Sequence, residues 1–327
     1  MTTLASTHRQ TATTSPDPAR GKFARLVDEL LPKRGPSRLL AWFALAWFAS
    51  AAVHLTIFIA DDTAWTGSVS WRKPIVFSLS IALIIWAYGW VLDRLPHRPR
   101  LAWSLAALFA ISSTIENSLI LTQQWRGRAS HFNYDTPGDA IIFGAMGATV
   151  ALMSALLVAL FIWAILRRPE HPAERLAVLA GMALIMSGLG IGQWLVSLGN
   201  TFYDTFNAVP ETVTNGEAGA PKFPHAIAFH GIQIFMVAAI MIKHAAIDTA
   251  AAIRRLWLVV IGYTGLLAAA MSQAILGVGP TDLGSGVGFL LAISLLAIST
   301  VLLLVGGLPI IAAWRSAETG PRATLVS

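Results

Sequence analysis

The chain has no cysteine, and that absence removes disulfides, thiolate metal sites, iron–sulfur clusters and the C-x-x-C-H attachment of c-type haem. Any metal it holds must rest on His, Glu, Asp or neutral oxygen ligands. Charge is scarce as well: 12% of the 327 residues are Asp, Glu, Lys or Arg, against roughly 25% in a soluble domain. A phosphate-binding glycine loop, a serine nucleophile elbow and an H-E-x-x-H pair are missing too, which closes the usual motif routes to an activity. What fills the chain is apolar: 55% of residues are hydrophobic and mean hydropathy is +0.64, so the expected partner is the lipid bilayer. The net charge of +6 does not point to nucleic acid, because the basic residues lie in the N-terminal tail and at the edges of apolar runs.

Windows long enough to cross about 30 Å of hydrocarbon, roughly 20 residues each, occur eight times. They run near Leu39–Ala60, Pro74–Leu92, Leu101–Thr122, Asp139–Leu166, Leu176–Asn200, His225–Ile247, Leu256–Gly277 and Gly288–Trp314. The expectation is an all-α, polytopic transmembrane bundle of about eight spans occupying 36–315. Lysine and arginine resist translocation and so set the orientation. With the N-terminus inside, only Arg72, Lys73, Arg126, Arg128 and Lys222 of the 23 Lys and Arg fall outside. That asymmetry predicts both termini in the cytoplasm and a place in the plasma (inner) membrane.

The first 20 residues are rich in Thr, Ser and Pro and have no apolar core, so 1–35 reads as a cytoplasmic tail and not as a cleaved signal peptide. Within it, Phe23, Leu26, Val27, Leu30 and Leu31 recur at helical spacing among charged residues, the pattern of an interfacial amphipathic helix or of a stem leading into the first span. Residues 316–327 form a second cytoplasmic tail.

Inside the spans the polar residues cluster by depth. His54, Glu116, Gln193 and His230 all lie about 8–12 Å from the outer end of their windows at 1.5 Å per residue, and Gln233 lies one turn deeper than His230. The inner half is almost purely aliphatic. Insertion of an ionisable group costs roughly 2.5–3.5 kcal/mol, so Glu116 and the two histidines are expected to face the interior and find partners there. A single intramembrane histidine or glutamine is more often an interhelical hydrogen-bond partner than a ligand. Two histidines and a carboxylate at one depth, from three helices, tip that balance toward a site.

The outer connections read as a lid over this layer. Glu116 and Gln123 share a helix face, and "RGRASHFN" continues from it, with Gly127 permitting a tight reversal that lets Ser130, His131 and Asn133 fold back. "SWRKP" brings Lys73 to the start of the second span beside Pro74, and "KFPHAIAFH" brings Lys222 and His225 to the rim above His230. Interfacial anchoring explains Trp71, Arg72 and Trp125 as well as a site does; it explains His131 and His225 poorly.

Three motifs, W-x-K-P-x-x-F-x-x-S from Trp71, Q-x-x-R-G-x-x-S-H-F-N from Gln123, and basic-x-x-H-x-x-x-x-H-x-x-Q from Lys222, resemble a family of uncharacterised bacterial multi-pass membrane proteins. The resemblance implies no activity. It implies that Trp71, Lys73, Pro74, Gln123, Arg126, Gly127, Ser130, His131, Asn133, His225, His230 and Gln233 belong together, with Lys222 standing where arginine is expected.

Two functional readings follow from these residues. The first is a metal or haem centre: His54, Glu116 and His230, completed by His131 or His225, suit Zn, Fe or Cu, while two facing histidines suit a b-type haem with the glycines of "SGLGIGQW" leaving room for the macrocycle. Zinc would bring hydrolysis with Glu116 as general base; haem or copper would bring redox chemistry. Lys73, Gln123, Arg126, Asn133, Gln193, Lys222 and Gln233 would line the cofactor or ligand. The second reading is a transporter or receptor for a small polar or anionic ligand drawn in by the outer cations. A structural membrane subunit is the remaining alternative, and the glycines of the fourth and fifth spans also suit packing between copies in a homo-oligomer.

Overall fold

Five of the helices carry a proline at their first or second position, and its fixed φ and missing N–H suit a first helical turn. The computed structural model describes residues 18–209, 221–244, 248–279 and 286–302. They form α1 (Pro18–Leu30), α2 (Gly35–Asp61), α3 (Arg72–Arg94), α4 (Pro99–Trp125), α5 (Pro137–Leu166), α6 (Pro172–Phe206), α7 (Lys222–Lys243), α8 (Thr249–Leu276) and α9 (Gly286–Leu302). Pro18, Pro36, Pro99, Pro137 and Pro172 open α1, α2, α4, α5 and α6. Among the described residues there is no strand.

Seven helices, α2 to α8, are long and apolar enough to cross a membrane. The protein is a polytopic helix bundle. The eighth expected span, Gly288–Trp314, is represented by the 17 residues of α9, and the rest of it lies outside the described residues, as do 1–17 and the tail at 316–327.

Successive helices run antiparallel and pack in pairs, α2 on α3, α6 on α7 and α8 on α9, with α3 also meeting α4 and α7. α3 is the central helix: 61% of its apolar window is buried within the bundle, against 22% for α2, which turns Trp42 and Ile59 outward. The tightest approach joins α6 to α7, where a Cβ at Gly181 would stand 2.9 Å from Ile232 Cα. In the half nearer α1 the core is apolar; Tyr88 and Phe109 stack at 4.3 Å there, beside buried Ile85 and Phe235.

Where α2, α4, α6 and α8 begin, α1 is fastened onto the bundle. Leu26 and Leu30 pack on its core, and Trp86 Nε1 donates to Leu30 O at 3.0 Å. Glu29 accepts from Arg94 at 2.9 Å and Lys243 at 2.9 Å, and both cations also reach Glu174, at 3.2 and 3.0 Å. Asp93 accepts from the backbone N–H groups of Lys33 and Arg34 and from Ser37 Oγ. The opposite end, where α3, α5 and α7 begin, is the rim.

Candidate functional site at the rim

α4 ends in a Schellman turn: Gly127 N donates to Gln124 O at 3.0 Å, Arg128 N donates to Gln123 O at 2.9 Å, and Gly127 takes φ +65°. This reversal sends 128–136 back over the bundle. Gln123, wholly buried, donates to Asp139 Oδ1 at 2.9 Å and accepts from Arg126 at 2.6 Å, and Arg126 pairs with the same carboxylate oxygen at 3.1 Å. Thr136 closes the circuit: its hydroxyl donates to Asp139 Oδ2 at 2.8 Å and accepts from Asp139 N at 3.1 Å. Asn133 donates to Ala129 O and accepts from Asp135 N. Gln123, Arg126 and Asn133 therefore build the loop through these bonds.

The loop inserts two rings. Phe132, at φ +55°, a conformation bulky residues rarely adopt, packs where a Cβ at Gly199 would stand 2.2 Å from its ring. His131 faces Phe77 of α3 and Phe143 of α5 at ring separations of 5.7 and 6.1 Å. Lys73 Nζ donates to Ser130 Oγ at 3.3 Å, and Ser130 Oγ stands 2.9 Å from His131 Nδ1. The ammonium can only donate, so Ser130 Oγ accepts from Lys73, and its second contact, with Nδ1, joins the lysine to the histidine whichever ring tautomer is present. Burial, then the charges of Lys73 and Lys222, push His131 down to about 3.

Lys73, Phe77 and Ser80 recur at spacings of four and three, hence on one face of α3. Ser80 Oγ meets His230 Nε2 at 3.2 Å. The three motifs are thus joined pairwise: Lys73 and Phe77 to Ser130 and His131, Ser80 to His230, and Lys222 to His131 through its charge. Deeper in, His230 Nδ1 and both amide atoms of Gln233 are buried with no well-formed hydrogen bond to other residues, and the Gln233 side chain bears on His230 itself. Along the α3–α7 contact, therefore, cations and the loop stand at the rim, and the neutral polar groups of Ser80, His230 and Gln233 lie below them.

The expected polar layer divides between different helix pairs. His54 Nδ1 lies 2.8 Å from Ser50 O, and His54 Nε2 accepts from Trp125 Nε1 at 3.2 Å, so Nδ1 carries the proton and neither nitrogen has a lone pair to give a metal. From there Ser50 reaches Ser78 at 3.2 Å, and Asn117 donates to Ser78 at 3.0 Å. Glu116 turns the other way, accepting from Thr149 of α5 at 2.7 Å; among the described residues no hydrogen bond or ion pair joins it to His54 or His230. His225 Nδ1 donates to Gly188 O at 2.9 Å. Gln193 is exposed, so it shares the depth of the layer without facing it.

These placements give the metal and haem expectations no support. Among the described residues no three His, Asp or Glu side chains come together to hold an ion, because each candidate ligand is turned to its own helix neighbour. Beside α7, two of the glycines of "SGLGIGQW" leave no room for a macrocycle: a Cβ on Gly188 would meet Phe229 at 2.5 Å and one on Gly192 would meet His225 at 3.0 Å, whereas Gly190 has nothing within 4 Å.

No family model, curated protein or solved structure matches the chain. The site rests on geometry alone.

Sequence reasoning missed Asp139, taken only as the first residue of a span. Its signal is Thr136-Pro-Gly-Asp139, a helix N-cap with an acid three residues on. It also missed Glu29 and Glu174, whose partners stand 65 to 214 positions away and leave no local mark.

Proposed function

We propose that this membrane bundle binds a small organic anion at its rim, in the manner of a receptor, with the rim facing outward and the α1 end in the cytoplasm. The observation that carries the reading is that Lys73 and Lys222, from the first turns of α3 and α7, both bear on a half-buried His131 at the start of the bundle's outer connections, Lys73 through Ser130 and Lys222 through its charge. Two cations and two helix N-terminal ends favour negative charge there. His230 Nδ1 and the Gln233 amide, below them, suit the polar remainder of such a ligand, since buried polar groups with donor and acceptor capacity to spare gain from a partner. The apolar core around Tyr88 and Phe109 supports a receptor over a conduit, because an alternating-access path needs polar groups beyond the midplane. The excess of Lys and Arg at the α1 end supports the orientation. The three joined motifs are consistent with the family resemblance and extend it to a shared site.

The test is thermal unfolding of the detergent-purified protein with phosphate, acetate or succinate at constant ionic strength. The expected result is saturable stabilisation by at least one anion, about 2.7 kcal/mol at a hundredfold excess over Kd, weakened tenfold or more by Lys73→Met or Lys222→Met. Absence of saturation, or variants that respond as the parent does, overturns the proposal.

A further inference from the structure

On the side of the bundle away from the α3–α7 contact, near the α1 end, an open groove runs between α4 and α5. Its volume is about 470 Å³, and its walls include Leu101, Ile162, Trp163 and Leu166, with Arg98 and Arg167 as the charged residues lining it. The volume lies within the roughly 300–1,000 Å³ of small-ligand pockets. Both arginines are exposed, and among the described residues neither forms an ion pair. This differs from Arg94, a few residues away, which is enclosed by Glu29 and Glu174. Arg98 caps the start of α4 without any side-chain hydrogen bond to the helix, and Arg167 follows the last turn of α5. The two cations therefore stand where the apolar helices end, at headgroup level, while the groove between them runs into the hydrocarbon zone.

We infer that this groove is a binding site for an anionic phospholipid, its phosphodiester held between Arg98 and Arg167 and an acyl chain lying along Leu101, Ile162 and Trp163. Charge complementarity selects the occupant. A guanidinium offers paired donors that match phosphate oxygens, a basic pocket between transmembrane helices at a headgroup level is suited to an anionic lipid, and the apolar floor excludes a free phosphate as the whole ligand. The inference is independent of the rim proposal, since it uses none of the same residues.

The experiment is native mass spectrometry of the full-length protein in detergent, titrated with equal amounts of dioleoyl-phosphatidylglycerol and dioleoyl-phosphatidylcholine. Retention of one phosphatidylglycerol in preference to phosphatidylcholine by about tenfold is expected, falling to parity in Arg98→Gln/Arg167→Gln and surviving in Arg38→Gln, an exposed arginine at the same end. Thermal unfolding in detergent alone checks that the double variant is folded; should it not fold, the single variants, each expected to lose part of the preference, replace it. Parity in the parent protein overturns the inference, as does a preference that persists in the double variant or that Arg38→Gln removes equally, which would mark a diffuse surface charge.

Discussion

The two ends of the bundle handle charge in opposite ways. At the α1 end Arg94 and Lys243 are each shared between Glu29 and Glu174, and Arg94 also lies 3.8 Å over the Trp90 ring. Cations and carboxylates alternate, and the network fastens α1 to three other helices. At the rim, Lys73 and Lys222 bear on a histidine that burial first, and their charges second, keep neutral. A network of alternating charges fastens helices together; two cations bearing on a neutral ring give the rim a positive potential. The comparison separates what holds the bundle together from what it presents.

The largest effect is expected at the fastening. Arg94 and Glu174 side chains are 8% and 9% exposed, and removing one partner of a buried ion pair costs about 3–5 kcal/mol because the other is left uncompensated. Arg94→Met leaves Lys243 to serve both carboxylates, so the lower figure, about 3 kcal/mol, is expected as a clear fall in Tm in detergent. A change under about 0.5 kcal/mol, the scale of an ordinary surface substitution, would erase the distinction between the two ends. Acid sharpens it. The Glu29 carboxyl is raised by burial but held below its ordinary 4.5 by the stronger combined pull of Lys243, Arg94 and His244. Its stabilising contribution is therefore present above 4.5 and is lost as pH falls through the lowered value. Protease cleavage within α1 should become faster over that window, and Glu29→Gln should remove the dependence.

Close packing is next. A Cβ at Gly181 would meet the backbone of Ile232, which cannot swing aside, so Gly181→Ala forces α6 and α7 apart at about 1–3 kcal/mol. Gly144, with nothing within 4 Å of its added Cβ, is the control and should tolerate alanine. Equal unfolding temperatures for the two variants would contradict the described α6–α7 contact.

The rim gives a smaller, pH-shaped signal. His131 sits at about 3 in the folded protein against its ordinary 6.5, so between those values the unfolded chain takes up a proton that the folded chain refuses. Stability should fall as pH drops from 6.5 toward 3, with no contribution from this group above 6.5. His131→Gln should flatten that limb, and Lys73→Met should shift it toward lower slope by removing a like charge. A limb unchanged in His131→Gln assigns the acid sensitivity elsewhere.

Much of this was legible in the sequence, in a particular way. Hydropathy gives spans because the bilayer imposes a length, and seven appear where expected within a few residues at most ends. Gly127 was readable because glycine takes a positive φ at a helix end at no steric cost, and takes +65° here. Depth was readable for the polar layer; direction was not. Counting residues from a span end fixes height, but each step also turns the side chain by 100°, and small errors in where a helix starts rotate every expectation. Gln193 shows the result by pointing outward at the right depth. Adjacent Glu116 and Asn117 show it again: one reaches Thr149 on α5 and the other Ser78 on α3.

That divergence supports the smallest predicted effect. Thr149 Oγ1 lies 2.7 Å from Glu116 Oε2 and 2.9 Å from Met146 O, and one hydroxyl has a single proton for two acceptors. A glutamine at 116 satisfies either arrangement: its carbonyl accepts the hydroxyl proton as the carboxylate does, or its NH₂ donates to Oγ1 and leaves that proton for Met146. Shape is kept as well. Glu116→Gln should therefore change stability by no more than about 0.5 kcal/mol and leave the anion response of the rim intact, because no bond among the described residues links Glu116 to His131, His230 or Gln233. Glu116→Leu makes the control, since it keeps the volume and strips the polarity, and it too should spare the anion response. Loss of that response in Glu116→Gln, with normal unfolding, would join the α4–α5 pair to the α3–α7 contact and return the carboxylate to the site.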